Sequence, residues 1–509
     1  MPEIVDDEAN SGVSPRESEI AAVTSTTSYA PPPPPPPPLP HCASGIPDTV
    51  PLADLTAHFD IPHPPPQAPC ESPAAAYFQF PYYAPVGRRS GTGNTIERIS
   101  RCLPSVVPGS NYFSAPIAVA IGPYHHGSFP DMEPAKRAAV QELCRLSGKP
   151  RTAVRAKIRS VEDLARRCYS DRHKVRTYDE DQFTDMMLSD GCFLLQFMAS
   201  MCPDDPEAPP EADPLMARAE VHTRIEAIAR DVLLLENQVP WPVLELLMGL
   251  FRPAVPVDRF LALMATAFDV GNIPAVADDQ DPAPWGGGGG SGRDRPRPPH
   301  LLGLFHRRQV GAARTQSLRV PRLSSLGSSA LELAEMGVKL TAGKSKGYGD
   351  MAMSKCGPLL GLFGELSLAP FVVNELTKCW LVNMAAYEAS IGATQADNFA
   401  VSSYISVVAM LIGRKQDVQE LRAKGIIHST MCDALTLNFF KEAAQHVRVG
   451  HRYFHISECI QAYKQERWMW IPVHRFFYNN IKAIVAVLSA IGVLAGIFKT
   501  ILSLKQPQR

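Results

Sequence analysis

Apolar positions recur at helical spacing through most of this chain. Asp131, Met132, Glu133 and Pro134 make a helix start, after which Ala138, Val140, Leu143 and Leu146 mark an apolar face until Gly148 stops it. The same period predicts helices over 161–169, 181–201, 218–250 with an interruption at Pro240, 257–268, 376–389, 400–412, 432–447 and 456–470. Asp417, with Glu420 three residues on, predicts a capping box that opens a short helix ending at Gly425. Strand signals are few and short, at 116–121 and 371–373. The expected class is mainly α, a helical multi-unit core with a few short strands.

Three stretches break the pattern. Residues 1–95 carry an uninterrupted proline run at 31–38 and further prolines at 62 and 64–66, which predicts a disordered, polyproline II segment. Such a run is either a ligand for aromatic-lined grooves or a spacer. Residues 273–299 pass from acidic and proline-rich to Gly286–Gly290 and three arginines, a linker, and a shorter break covers 202–213.

The last stretch differs from the rest. Residues 483–498 hold no charge, and 481–504 contains only Lys482 and Lys499. At about 1.5 Å per residue the longer segment exceeds the roughly 30 Å hydrocarbon layer, provided both lysines snorkel to the headgroups. A transmembrane helix over 481–504 is therefore expected, against the alternative of a buried C-terminal helix. Ser489, Gly492 and Gly496 share one face of it, a spacing that lets two helix backbones approach, although glycine is common in such segments. The acidic N-terminus lacks a basic and then apolar run, so no signal peptide is expected. With few residues after the span and positive charge balanced on its two sides, the bulk of the chain is expected to stay cytoplasmic.

Composition narrows the function classes. A formal charge of -1 gives no electrostatic case for nucleic acid as a partner. Eleven cysteines, none spaced C-x-x-C, and no N-x-[ST] site point to reduced thiols in a cytosolic compartment, with neither a disulfide framework nor a zinc ribbon.

At 121–127 the chain reads IGPYHHG, followed by Glu133 and Lys136. SDGCF at 189–193, DVLLLENQVPW at 231–241, EMGVKL at 335–340 and DVQELRAKGII at 417–427 come after it in order. This series resembles the plant family known as domain of unknown function 247, over residue 96 to near the C-terminus. The resemblance implies two helical halves of one family domain, 96–272 and 300–478, on a C-terminal anchor with no established chemistry. It therefore implies a membrane-attached interaction or recognition scaffold whose protein partners are unknown, with no cofactor. Asn479, Asn480 and Ile481 stand where the family usually has Asn-Pro-Trp.

Several motif residues invite a chemical reading. His125, His126 and Glu133 could be metal ligands, but adjacent histidines in an extended segment point to opposite sides, and Gly122, Pro123, Tyr124 and Gly127 describe a turn that such histidines commonly brace. Glu236, Asn237 and Gln238, ahead of Pro240, interrupt an apolar run and are expected to form an internal hydrogen-bond network. Cys192 lies with Gly191 and Phe193 in an apolar run and reads as inert core. Gly343, Lys344 and Ser345 follow Gly337 with one residue too many for a phosphate-binding loop. The alternative to a scaffold is an enzyme built around Asp190, Glu236 and the His125/His126 turn. Convergence of these side chains in an open pocket would favour the enzyme; separate, buried and bonded positions would favour the scaffold.

Overall fold

The computed structural model of the chain describes residues 96–103, 111–203, 213–251, 254–267, 299–310, 328–343, 347–356, 363–391 and 399–504. The proline run, residues 273–298 of the linker, and Lys344 with Ser345 lie outside the described residues. Helix dominates, as the periodicity predicts, with five short strands among the described residues.

The first half is assembled around one helix. α1 (Ile99–Cys102), α2 (Glu133–Ser147), α3 (Arg151–Arg159), α4 (Glu162–Arg167) and α5 (Arg172–Arg176) lead to α6 (Glu180–Ser200), and α7 (Ala219–His222), α8 (Ile225–Asp231), α9 (Trp241–Met248) and α10 (Val257–Thr266) follow. Asp179 caps α6: its carboxylate accepts from the Gln182 amide at 2.7 Å while Gln182 accepts from the Asp179 amide at 3.1 Å. From Phe183 to Met198 nearly every residue of α6 is buried, as a helix apolar on all sides must be. α2, α3, α4, α9 and α10 surround it. Gly148 closes α2 at φ +63°, in the left-handed region.

The second half mixes helices with two small sheets. α11 (Leu301–Val310) and α12 (Ala330–Glu335) precede β1 (Val338–Ala342), β2 (Ala352–Cys356), β3 (Phe363–Leu368) and β4 (Phe371–Val373). Then come α13 (Glu375–Ile391), α14 (Ala400–Leu411), α15 (Lys415–Ala423), β5 (Ile427–Ser429), α16 (Asp433–His446), α17 (His451–Glu466) and α18 (Trp470–Leu504). The three-stranded sheet has the order β1-β3-β2, with β1 parallel to β3 (Leu340 opposite Leu366) and β2 antiparallel to it (Met353 opposite Leu366). β4 pairs with β5 in parallel. α14 is buried on all sides, packed on α16 and α17 with Tyr404 beside Tyr348 and Phe371.

Several boundaries differ from the sequence expectation, each for a local reason. The 116–121 segment is extended but joins no sheet, because side chains rather than a strand receive its amides. The region 218–250 holds three short helices separated by a long turn over 232–240. Asp417 sits inside α15, not at its cap; its carboxylate accepts from the Gly413 and Arg414 amides ahead of the helix, both at 3.0 Å, and from Leu331 at 3.1 Å. α17 begins at His451 and ends before a turn at 467–469, after which α18 runs unbroken from Trp470 through the whole apolar segment.

Residues 89–509 form one compact unit, so the halves are not separate bodies. α13 crosses between them. The Asn383 side chain accepts from the Leu235 amide at 2.7 Å and donates to the Phe113 carbonyl at 2.9 Å, and the Trp380 indole donates to the Arg230 carbonyl at 3.2 Å.

Candidate functional site

The motif residues gather where the extended segment 117–122 meets the turn after α8. With no neighbouring strand, the buried amides of this segment need other acceptors. Asp231, fully buried, accepts from Ile117, Ala118 and Val119 at 2.7 to 3.1 Å and from the Arg230 guanidinium at 2.7 Å. Asn237 accepts from Ile121 at 2.7 Å and donates to the carbonyls of Val119 and Asp231, both at 3.0 Å. Gln238 donates to the carbonyls of Val232 (2.8 Å) and Leu234 (2.7 Å) and accepts from the Leu302 amide of α11 at 3.0 Å. One side chain thus closes the turn and ties it to the second half. Pro240, buried, precedes the first residue of α9.

Gly122 sits at the crossing point. Its φ of +76° is left-handed, and a Cβ there would lie 2.7 Å from the Gln238 carbonyl oxygen and 2.9 Å from the Tyr169 hydroxyl. Only glycine fits without rearrangement. Its amide donates to Asp190 at 2.8 Å.

Asp190 projects from α6 with no exposed side-chain surface, and its other oxygen meets the Lys136 ammonium at 2.7 Å. Lys136 is almost as buried; it also donates to the Ala120 carbonyl at 2.7 Å and approaches Glu133 at 3.1 Å. Burial acts to lower its pKa, but Asp190 and Glu133 outweigh burial and hold it above the ordinary lysine value. Beside Asp190, Gly191 faces α9 so closely that a Cβ would stand 2.5 Å from a Leu247 methyl. Cys192 is fully buried, its thiol pushed far up by burial, and Phe193 stacks on Phe197.

Glu236 belongs to a second cluster. One carboxylate oxygen accepts from the Ile99 amide at the start of α1 and the other from Arg98, both at 2.9 Å. Arg98 also reaches Asp171 at 3.3 Å and lies over the Tyr124 ring at 4.2 Å. Tyr124 donates to the Ile96 carbonyl at 2.9 Å. His125 approaches Glu236 at 3.5 Å, a long electrostatic contact and not a well-formed hydrogen bond. Burial acts to raise the pKa of Glu236, yet His125, the Ile99 amide and Arg98 together bring it below the ordinary carboxylate value. His126 is exposed and meets Tyr178 edge to face, Tyr178 donates to the Pro123 carbonyl at 3.1 Å, and Gly127 completes the turn at φ +85°.

Asp190 and Glu236 therefore occupy different clusters with different partners. Sequence reasoning named one side of each ion pair and missed the other: Arg98 carries no motif, and Lys136 was noted only as part of the resemblance. Another buried carboxylate, Glu388, accepts from the Val401 and Ser402 amides at 2.8 and 2.9 Å and meets His306 at 2.9 Å, satisfying the start of α14 from a different helix. A small apolar pocket lies away from these clusters, between Leu103, Phe113, Val382 and Phe439 with Glu442 and His446 among its lining. Among the described residues no group of three His, Cys, Asp or Glu side chains is placed to hold a metal ion.

The other distinctive feature is α18. Residues 470–501 are long and apolar enough to cross a membrane, with a mean hydropathy of 2.4 over the most apolar window and none of that window buried. α14, the shorter apolar helix, is buried in the core; α18 is not. Its first turns are seated on the body: Arg475 pairs with Glu335 at 3.1 Å, His474 contacts the Glu335 carbonyl at 2.9 Å, and Phe363 meets both Trp470 and His474 edge to face. Ser489, Gly492 and Gly496 lie farther along, with no side chain or backbone from elsewhere near either glycine.

No curated protein and no solved structure matches this chain. A family model does, over residues 96–495, which takes in both polar clusters, the body and most of α18. On that match the chain belongs to DUF247, a family of plant proteins of unknown function.

Proposed function

We propose that this chain is a membrane-anchored protein-interaction or recognition scaffold, held by α18 with its body on the cytoplasmic side. The observation that carries this reading is α18 itself: a continuous helix, apolar along its exposed length, that leaves a body whose other apolar helices are covered. In water such a surface would carry a large unfavourable hydration cost, which a bilayer removes. For the cytoplasmic side, the support is thiol chemistry. Eight of the cysteines are free, as expected in a reducing compartment, and burial raises the thiol pKa of Cys168 to about 11 and of Cys102 to about 12, which leaves them inert structural thiols.

The alternative reading is an enzyme with its site around Asp190, Glu236 and His125/His126. Against it stands the commitment of both carboxylates to backbone amides and to the cations of Arg98 and Lys136, an arrangement that braces a turn and occupies the acceptors a substrate would need. Proximity labelling from the full-length protein in plant tissue, compared with a chain lacking 481–509, tests the scaffold reading. A reproducible set of membrane-adjacent protein neighbours that is lost on truncation is expected. Identical neighbour sets for the two chains would contradict it.

A further inference from the structure

Among the described residues, large exposed apolar side chains fall into two groups. Ile117, Leu164 and Leu435 stand singly; the others form a series from Trp468 to Ile501. The series begins well before the charge-free stretch, so its upstream part needs a separate explanation. α18 has 35 residues. At about 1.5 Å per residue, a hydrocarbon layer of about 30 Å takes roughly 20 of them, which residues 481–501 supply. Tyr478 and Phe477 then stand roughly 4 to 6 Å outside the hydrocarbon, within a headgroup layer about 5 to 7.5 Å deep on each side, and Phe476, at about 7.5 Å, stands at its outer edge.

What surrounds these three follows from helix geometry. Consecutive residues on a helix are about 100° apart, so the three side chains point to three sides of the axis. They are 60%, 51% and 42% exposed. A protein groove would cover one side, whereas a lipid interface covers all three. His474 and Arg475, immediately before them, still touch the body through Glu335, so the change from one-sided protein contact to exposure on three sides takes place within one turn. Nearby polarity fits that depth: Asn480 donates to the Phe476 carbonyl at 2.8 Å, and Lys482 is placed to extend its ammonium toward the headgroups.

We propose that Phe476, Phe477 and Tyr478 form an aromatic belt in the headgroup layer of the bilayer, fixing the depth of α18 and setting the body directly above the lipid. The proposal rests on the reading of α18 as a span and adds the position of the boundary. Aromatic rings favour this layer because an apolar ring with a polar edge suits its mixed environment. Trp470, the first residue of α18, lies about 16 Å from the hydrocarbon along the axis and clears the headgroups even at a tilt of about 40°, and Trp468 and Met469 belong to the turn that precedes it.

The test uses the full-length chain in phosphatidylcholine vesicles, with one fluorescent residue introduced at Phe477, Met469 or Ile491. Nitroxide is carried on the lipid headgroup in one set of vesicles and deep on the acyl chain in another. The label at Phe477 is expected to lose most of its emission to the headgroup nitroxide, the label at Met469 to keep it, and the label at Ile491 to lose it to the acyl nitroxide. Loss at Ile491 with Phe477 spared, or with Met469 affected as strongly as Phe477, overturns the belt and leaves the span standing. If Ile491 is spared by both nitroxides, the span reading fails and the belt with it.

Discussion

Buried polar side chains in this protein act where a strand would otherwise stand. Asp231 receives three successive amides and Asn237 a fourth, so that 117–122 enters the core without joining a sheet. Glu236 does the same for the start of α1 while holding Arg98. Glu236→Ala is therefore predicted to lower unfolding stability by about 1 to 3 kcal/mol, through unpaired buried groups; unchanged melting with loss of a defined activity would contradict this. The pKa direction adds a pH signature. Because the folded-state pKa of Glu236 is lowered, its contribution is fully present above the unfolded value of about 4.3 and is lost as pH falls through the folded value. Glu236→Gln should lack that acid-limb component when stability is followed against pH. Lys136 and Asp190 allow a second test. Lys136→Met strands a buried carboxylate and should cost about 3 to 5 kcal/mol, while adding Asp190→Asn should recover part of the loss. Simple additivity in chemical unfolding would count against direct pairing. That Glu236, Asn237 and Gln238 would be hydrogen-bonded was legible because polar residues within an apolar run must be paired. Their division between two clusters was not, since Arg98 lies 138 residues from Glu236 and nothing local marks it.

At the scale of elements, helices with sharp stops were the most legible. Gly148 ends α2 where a left-handed residue is needed, and α6 and α14 fall within a residue or so of their periodic stretches. The three-stranded sheet was missed because its strands are short and β3 alternates through a glycine, with Gly364, Leu366 and Leu368 inward. The start of α18 was also hidden: the apolar count suggests 481, but contacts with α12 and β3 stabilise eleven earlier residues as helix, from Trp470. This extension bears on self-association. Gly492 lies about five turns beyond His474 at 3.6 residues per turn, on the face that meets the body. A parallel pair joined through Ser489, Gly492 and Gly496 would bring two bodies to the same side. The isolated 470–504 segment is thus predicted to associate in membranes more strongly than the full chain. Replacing both Gly492 and Gly496 by isoleucine should reduce the association of the segment without preventing insertion. An equal signal for the wild-type and doubly substituted segments would retire the glycine face as an interface.

The described residues join one body to one exposed helix. α13 and Gln238 bind the two halves together, so a cut in the 273–299 linker should leave the halves associated, as size-exclusion chromatography of the nicked protein in detergent would show; separation of the fragments would contradict it. Sealed microsomes test the orientation proposed for the body: added protease should digest it from outside, and protection would reverse the topology. The account depends most on α18 as the anchor. Its most direct test is alkaline carbonate extraction of plant membranes carrying either the full chain or a chain ending at Asn480. The full chain should remain with the lipid pellet and the shortened chain should be released. Release of the full chain, or retention of both to the same extent, would contradict anchoring by α18.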